Sequence, residues 1–258
     1  RYQEVTGVQT CALPIFLSST FLPGICCRAF FSGGDSMGKL FMYSDQVIDE
    51  NRKIDKKLFE SFGKAEPAIA YIPCNGDGDR SHYRKQLRYY QRYGLGELLF
   101  FDIADEYDEG LLETLMESDA IHLSGGSPLI FRENLRKRGL DSFLIDYYNK
   151  GGILAGVSGG AVQFGLGAGI FDLFQNGLES ALQTYTQLET MQVVPFEFLP
   201  HYNRWSVSFK QSVEEYTLTT GRMVYAAEDG DGIIADGKEL TFIGNVKRIQ
   251  MGRTESVL

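Results

Sequence analysis

Ile153-Leu154-Ala155-Gly156-Val157-Ser158-Gly159-Gly160-Ala161 is the stretch from which the rest of the chain can be read. Its first five residues form an uninterrupted apolar run, the pattern of a strand buried on both faces, and residues 161–164 read as the start of a helix. Between them lies G-x-S-x-G. In that context a serine sits at the tip of a sharp strand-to-helix turn, and small neighbours are needed because the backbone and the helix approach closely. The N–H of Gly159 and the start of the helix dipole would both point at a reacting carbonyl oxygen. With 29 glycines in 258 residues the pattern can also arise by chance, and it equally suits a tight turn around a buried serine.

Working outward, apolar strand patterns at residues 40–43, 68–73, 98–103 and 120–123 alternate with helical patterns at 54–62, 82–93, 111–117, 129–137 and 143–149. Such alternation predicts an α/β fold with a mainly parallel sheet covered on both sides. Beyond residue 190 the patterns shorten, to 191–194, 222–227, 232–235, 240–243 and 246–251, which predicts a partly antiparallel C-terminal edge. No linker or repeat interrupts residues 37–258, so they read as one domain.

Residues 1–36 read differently. Residues 1–15, through Val5-Thr6-Gly7-Val8-Gln9-Thr10-Cys11-Ala12-Leu13-Pro14-Ile15, resemble a translated sequencing adapter, so residues 1–36 are expected to be a non-native extension and Met37 the start. Three of the four cysteines (Cys11, Cys26, Cys27) fall there. Cys74 alone can make neither an internal disulfide nor a zinc site, which suggests a reduced, cytoplasmic protein. The net charge of −9 and the lack of a dense Lys/Arg cluster argue against a nucleic-acid partner. No apolar run reaches about 18 residues, so no membrane span is expected.

In a parallel sheet the working site lies beyond the carboxyl ends of the strands. A second turn there, Ser124-Gly125-Gly126-Ser127-Pro128, lacks the ending of a phosphate loop, and either ordinary turn chemistry or a second oxyanion donor at Gly125 or Gly126 would account for it. A nucleophilic serine needs a base. His122 lies inside an apolar strand, His82 opens a polar helix, and His201 follows a proline among polar groups, so His201 is the base candidate by elimination. The acid that orients it is placed at Glu228, with Asp229, Asp231 and Asp172 competing; spacing does not decide among them.

Taken in order, Ala120-Ile121-His122-Leu123-Ser124-Gly125-Gly126, Gly156-Val157-Ser158-Gly159-Gly160-Ala161, Pro200-His201-Tyr202 and Ala227-Glu228-Asp229-Gly230 resemble the motifs of one family. It is the type 1 glutamine amidotransferase-like serine peptidases, which include aspartyl dipeptidase (peptidase E) and cyanophycinase. The resemblance runs over residues 37–251. It implies a flavodoxin-like three-layer sandwich, a Ser-His-Glu triad of Ser158, His201 and Glu228, an oxyanion hole from Gly125, Gly126 and Gly159, and neither metal nor cofactor. The implied activity is cleavage of small peptides, as a dipeptidase, through an acyl-enzyme; an esterase or amidase and a catalytically silent relative are the alternatives. A monomer or homodimer is expected. An acidic N-terminal substrate residue would need a facing cation, for which Arg204, Arg80 and Arg84 are the candidates. The chain departs from the family pattern twice, with Gly159 where alanine is usual and Ser127 where asparagine is usual. Serine at the elbow, with Cys74 in another loop, argues against glutamine-dependent ammonia transfer.

Overall fold

The computed structural model describes residues 37–257, and the reading of residues 1–36 lies outside them. In chain order the elements are β1 (Lys39–Tyr43), α1 (Arg52–Ser61), β2 (Ala68–Ile72), α2 (Ser81–Gln91), β3 (Glu97–Phe100), α3 (Leu112–Glu117) and β4 (Ala120–Leu123). There follow α4 (Pro128–Arg138), α5 (Leu140–Asn149), β5 (Ile153–Val157), α6 (Gly159–Val162), α7 (Gly169–Asn176), α8 (Leu178–Thr184) and β6 (Glu197–Leu199). The chain ends with α9 (Val207–Thr220), β7 (Val224–Ala227), β8 (Gly232–Asp236), β9 (Glu239–Ile243), β10 (Val246–Gln250) and β11 (Arg253–Ser256).

Seven strands form the main sheet in the order β3-β2-β4-β5-β1-β8-β9. The first five are parallel, and β8 and β9 add an antiparallel edge. Side-chain alternation sorts the apolar residues into two cores. Leu40, Met42, Ala70, Ile72, Ile121 and Leu154 face one side, where Phe131, Leu135 and Leu144 of α4 and α5 cover them. Phe41, Tyr43, Ile69, Tyr71 and Ala155 face the other, under Ile54 and Leu58 of α1 and Tyr89 and Tyr90 of α2. Both faces are dry, which is why these strands read as continuous apolar runs.

The C-terminal strands divide between two sheets. β8 and β9 extend the main sheet as expected, while β6, β7, β10 and β11 form a second sheet in the order β11-β10-β7-β6. Phe198, Tyr225 and Ala227 of this sheet pack into the first core, and Leu199, Val224 and Ala226 face a third core with α7 and α9. Short apolar strands carry no mark of which sheet they join, so the sequence showed the antiparallel edge but not the second sheet beside it. Residues 191–194, expected as a strand, are a loop whose N–H groups donate to the carbonyls of Gln163, Phe164 and Gly165.

His122 is the buried core histidine its apolar strand suggested. It stacks on Tyr71, its Nδ1 lies 2.7 Å from the Tyr90 hydroxyl, and burial pushes its pKa down to about 3. An unfolded imidazole takes its proton near pH 6.5, so His122 contributes stability that is fully present above that pH and lost as pH falls towards about 3. The expected slope over that window is about 1.4 kcal/mol per pH unit from this residue. Urea denaturation between pH 7 and pH 4 should show it in the wild type and not in His122→Phe; an equal slope in both would refute the assignment.

Candidate active site

Ser158 directly follows β5 and precedes α6, with φ 50° and ψ −113°. A residue with a Cβ holds such a conformation only where its surroundings impose it. Here the glycines around it do so. A Cβ on Gly156 would lie 2.7 Å from the Ala161 nitrogen, and one on Gly160 would lie 2.4 Å from the Leu123 oxygen. Ser158 thus sits half-buried at the tip of the turn, and its N–H is fixed by donating to the Tyr43 carbonyl of β1 at 2.9 Å.

His201 and its carboxylate partner come from the second sheet. β6 and β7 are parallel neighbours with Leu199 opposite Ala226, so the segments just past their carboxyl ends emerge side by side. His201 follows β6 in the left-handed region, φ 59° and ψ 35°. Its Nε2 lies 3.0 Å from Ser158 Oγ and its Nδ1 lies 2.7 Å from Asp229 Oδ1. A carboxylate only accepts, so Nδ1–H donates to Asp229, and the Nε2 lone pair is left to accept from the Ser158 hydroxyl.

The carboxylate on the imidazole is therefore Asp229, not Glu228. The register would bring position 228 opposite His201, but β7 stops at Ala227 and the chain turns, closed by the Asp231 N–H donating to the Glu228 carbonyl at 3.0 Å. Consecutive side chains then point apart: Asp229 turns to His201, and Glu228 Oε1 accepts from Asn245 Nδ2 at 2.8 Å. The other competitors are engaged elsewhere, Asp231 with the Asn245 N–H and Asp172 with Asn176, Ser180 and Thr184. Partial burial alone would raise the Asp229 pKa, but hydrogen bonds from His201, Arg204 and Asn203 outweigh it and hold the carboxyl below its ordinary range.

Arg204 was expected to face substrate. Instead its Nε donates to Asp229 Oδ2 at 2.5 Å and its Nη2 to Asp45 Oδ2 at 2.7 Å. Asp45, His201 and Asp229 have ligand atoms within 4.8 Å of one another, the spacing of a cation site, yet the guanidinium already supplies the positive charge between the two carboxylates. Arg80 is also committed, pairing with Glu106 and stacking over Phe100, and the Arg84 guanidinium donates to the Asp79 carbonyl at 2.6 Å. Neither lines the cavity described next.

That cavity, about 520 Å³, opens beside the two glycine-rich turns. Gly125, Gly126 and Val157 form its border, Tyr71 and Ile130 its apolar wall, and Lys85 is its cation. Among the described residues, no Asp or Glu lines it. The two departures from the family pattern meet here. A Cβ on Gly159 would lie 2.1 Å from the Gly126 oxygen, so glycine at 159 lets the second turn close over the elbow. Ser127 caps α4, its hydroxyl accepting from the Ile130 N–H at 3.4 Å. Cys74 packs beneath Gly126, and burial pushes its thiol up to about 11, so it is poorly suited to act as a nucleophile.

Comparison with known proteins agrees with this architecture. The model of peptidase family S51 matches residues 40–243. The chain is 23% identical over 186 residues to the uncharacterized peptidase YgaJ of Bacillus subtilis (strain 168), covering 70% of this chain and 74% of that one. It is 25% identical over 141 residues to the uncharacterized peptidase Lmo0363 of Listeria monocytogenes, covering 54% and 67%. A crystal structure from Listeria monocytogenes EGD-e, described as a candidate peptidase E, superposes with a TM-score of 0.62 at 22% identity, covering 80% of this chain and 98% of that one. A peptidase from an acI-B1 actinobacterium superposes with a TM-score of 0.67 at 17% identity, covering 86% and 94%. These two likenesses speak to the fold alone. The fold and the family match together define a serine-type peptidase. The chain belongs to peptidase family S51. None of its described helices is long and apolar enough to cross a membrane.

Sequence reasoning missed Ser44, Asp45 and Lys85. Ser44 and Asp45 could have been found, because they are the first polar residues beyond β1, where sites in parallel sheets collect. Lys85 carried no such signal. The close approach of the turns gives a stability test. Gly160→Ala should cost about 1–3 kcal/mol and lower the melting temperature. Gly125→Ala, whose Cβ would meet nothing nearer than 3.8 Å, should stay within about 0.5 kcal/mol of wild type. Equal stability of the two variants by calorimetry would contradict the packing described.

Proposed function

We propose that the protein cleaves small peptides, as a dipeptidase, through a triad of Ser158, His201 and Asp229. The observation that carries this reading is the unbroken line Ser158 Oγ–His201 Nε2, His201 Nδ1–Asp229 Oδ1, at 3.0 and 2.7 Å. His201 takes the hydroxyl proton as Ser158 Oγ attacks the peptide carbonyl, and ionised Asp229 stabilises the imidazolium that forms. The N–H of Gly159, at the start of α6, and those of Gly125 and Gly126 hold the oxyanion. The imidazolium then protonates the leaving amine. Water, deprotonated by His201, releases the acyl group and restores Ser158.

The cavity suits the acyl residue. It borders Gly125, Gly126 and Val157, the residue before the nucleophile, but is lined by none of Ser158, His201, Asp229 or Arg204, and the leaving amine must depart on the imidazole side. A lining that holds a lysine and, among the described residues, no carboxylate favours an acidic side chain, so an N-terminal aspartate is the residue we propose, with Lys85 in the role first sought among the arginines.

A fluorophosphonate should label Ser158 in the protein, and Ser158→Ala should lose label and reduce dipeptide cleavage by about 10³-fold or more. Asp229→Asn should lower kcat by about 10²–10⁴-fold, while Glu228→Gln stays near wild type. Labelling without cleavage of any dipeptide would reject the dipeptidase reading, and a slow Glu228→Gln with an unaffected Asp229→Asn would reject the triad. Lys85→Gln should raise KM for an N-terminal aspartyl dipeptide about tenfold more than for its asparaginyl counterpart; equal changes would remove Lys85 from substrate recognition.

A further inference from the structure

Ser44, Asp45 and Gln46 follow β1, and their side chains reach three different parts of the site. The Ser44 hydroxyl is fully buried, accepts from the His201 N–H at 2.7 Å and donates to the Ala227 carbonyl at 3.0 Å. One hydroxyl thus joins the segment bearing the base to the strand end bearing the acid. Asp45 holds Arg204, and Arg204 holds the far oxygen of Asp229. The Gln46 amide donates to the Tyr90 hydroxyl at 3.1 Å and accepts from Gln86 at 3.0 Å, in the wall of the cavity.

The nucleophile is delivered by the main sheet, the base and acid by the second. Some contact must fix the two sheets at the level of the reacting atoms. The Ser158 N–H donates to the Tyr43 carbonyl, and the next residue, Ser44, accepts from the His201 N–H. The backbones of Ser158 and His201 are therefore linked through the Tyr43–Ser44 peptide and the Ser44 side chain. That link also explains how His201 keeps its left-handed conformation, which a residue with a Cβ adopts only when held.

We propose that Ser44 and Asp45 are positioning residues, keeping His201 and Asp229 in register with Ser158, and that Gln46 shapes the substrate cavity. The inference rests on the triad reading above. It predicts a division of effect among three consecutive residues. Ser44→Ala should lower kcat about a hundredfold with KM within about twofold, because a displacement of the order of 1 Å has that effect. Ser44→Thr, which keeps the hydroxyl, should recover most of it. Asp45→Asn should lower kcat by about threefold to tenfold, and Gln46→Ala should raise KM with kcat retained.

The test combines steady-state kinetics on a dipeptide with proton NMR of the His201 Nδ1–H, whose resonance should move in Ser44→Ala and stay in Gln46→Ala. Wild-type kcat in Ser44→Ala overturns the proposal, as does equal loss in Ser44→Ala and Ser44→Thr, which would make the effect one of packing. Parallel loss of kcat and rise of KM in all three variants overturns it too. Failure of the wild type to take a fluorophosphonate at Ser158 would be a separate result, overturning the triad reading itself.

Discussion

The hydrogen bond between Ser158 and His201 crosses from one sheet to another, and the rest of the site is arranged around that crossing. A serine hydroxyl at its ordinary acidity is a weak nucleophile, so the imidazole must lie within hydrogen-bond reach of it. Of Ser158, His201 and Asp229, the main sheet carries only the serine. His201 and Asp229 follow β6 and β7, parallel neighbours whose carboxyl ends point to the same place. The split of the C-terminal strands into a second sheet is therefore what brings an imidazole and a carboxylate to the elbow.

Close packing of glycines serves the same end. Gly156 and Gly160 leave no space for a side chain, and the strained turn at Ser158 follows from the room they leave. At Gly159 the reason differs: the turn carrying Gly126 closes directly over it. The two departures from the family pattern, at 127 and 159, lie far apart in sequence, yet Gly159 packs against Gly126 and Pro128, the residues on either side of Ser127. The arginine next to the acid has a comparable double role. Arg204 neutralises the outer oxygen of Asp229 and ties it to Asp45, leaving the inner oxygen to the imidazole.

Much of this was legible in the sequence, for physical reasons. The buried strands announced themselves as apolar runs, and the elbow by its glycines and its place between strand and helix. His201 followed from the scarcity of histidine. The acid did not follow, because neighbouring carboxylates at 228 and 229 differ only in the direction a turn gives them, and that direction is set by where β7 stops. Of the arginines considered as substrate cations, Arg80 and Arg84 lie at the start of α2, yet it is Lys85 on the same helix that lines the cavity, a difference of helix face that the sequence did not mark. The second sheet was hidden for a related reason: pairing partners of short strands are chosen by the tertiary packing.

The decisive measurement is a crystal structure of the protein after reaction with a fluorophosphonate. Phosphorus should be bonded to Ser158 Oγ, with a phosphoryl oxygen within hydrogen-bond distance of the Gly159 N–H and His201 still held by Asp229. An unmodified Ser158, or an imidazole turned away from Asp229 in the adduct, would contradict the triad.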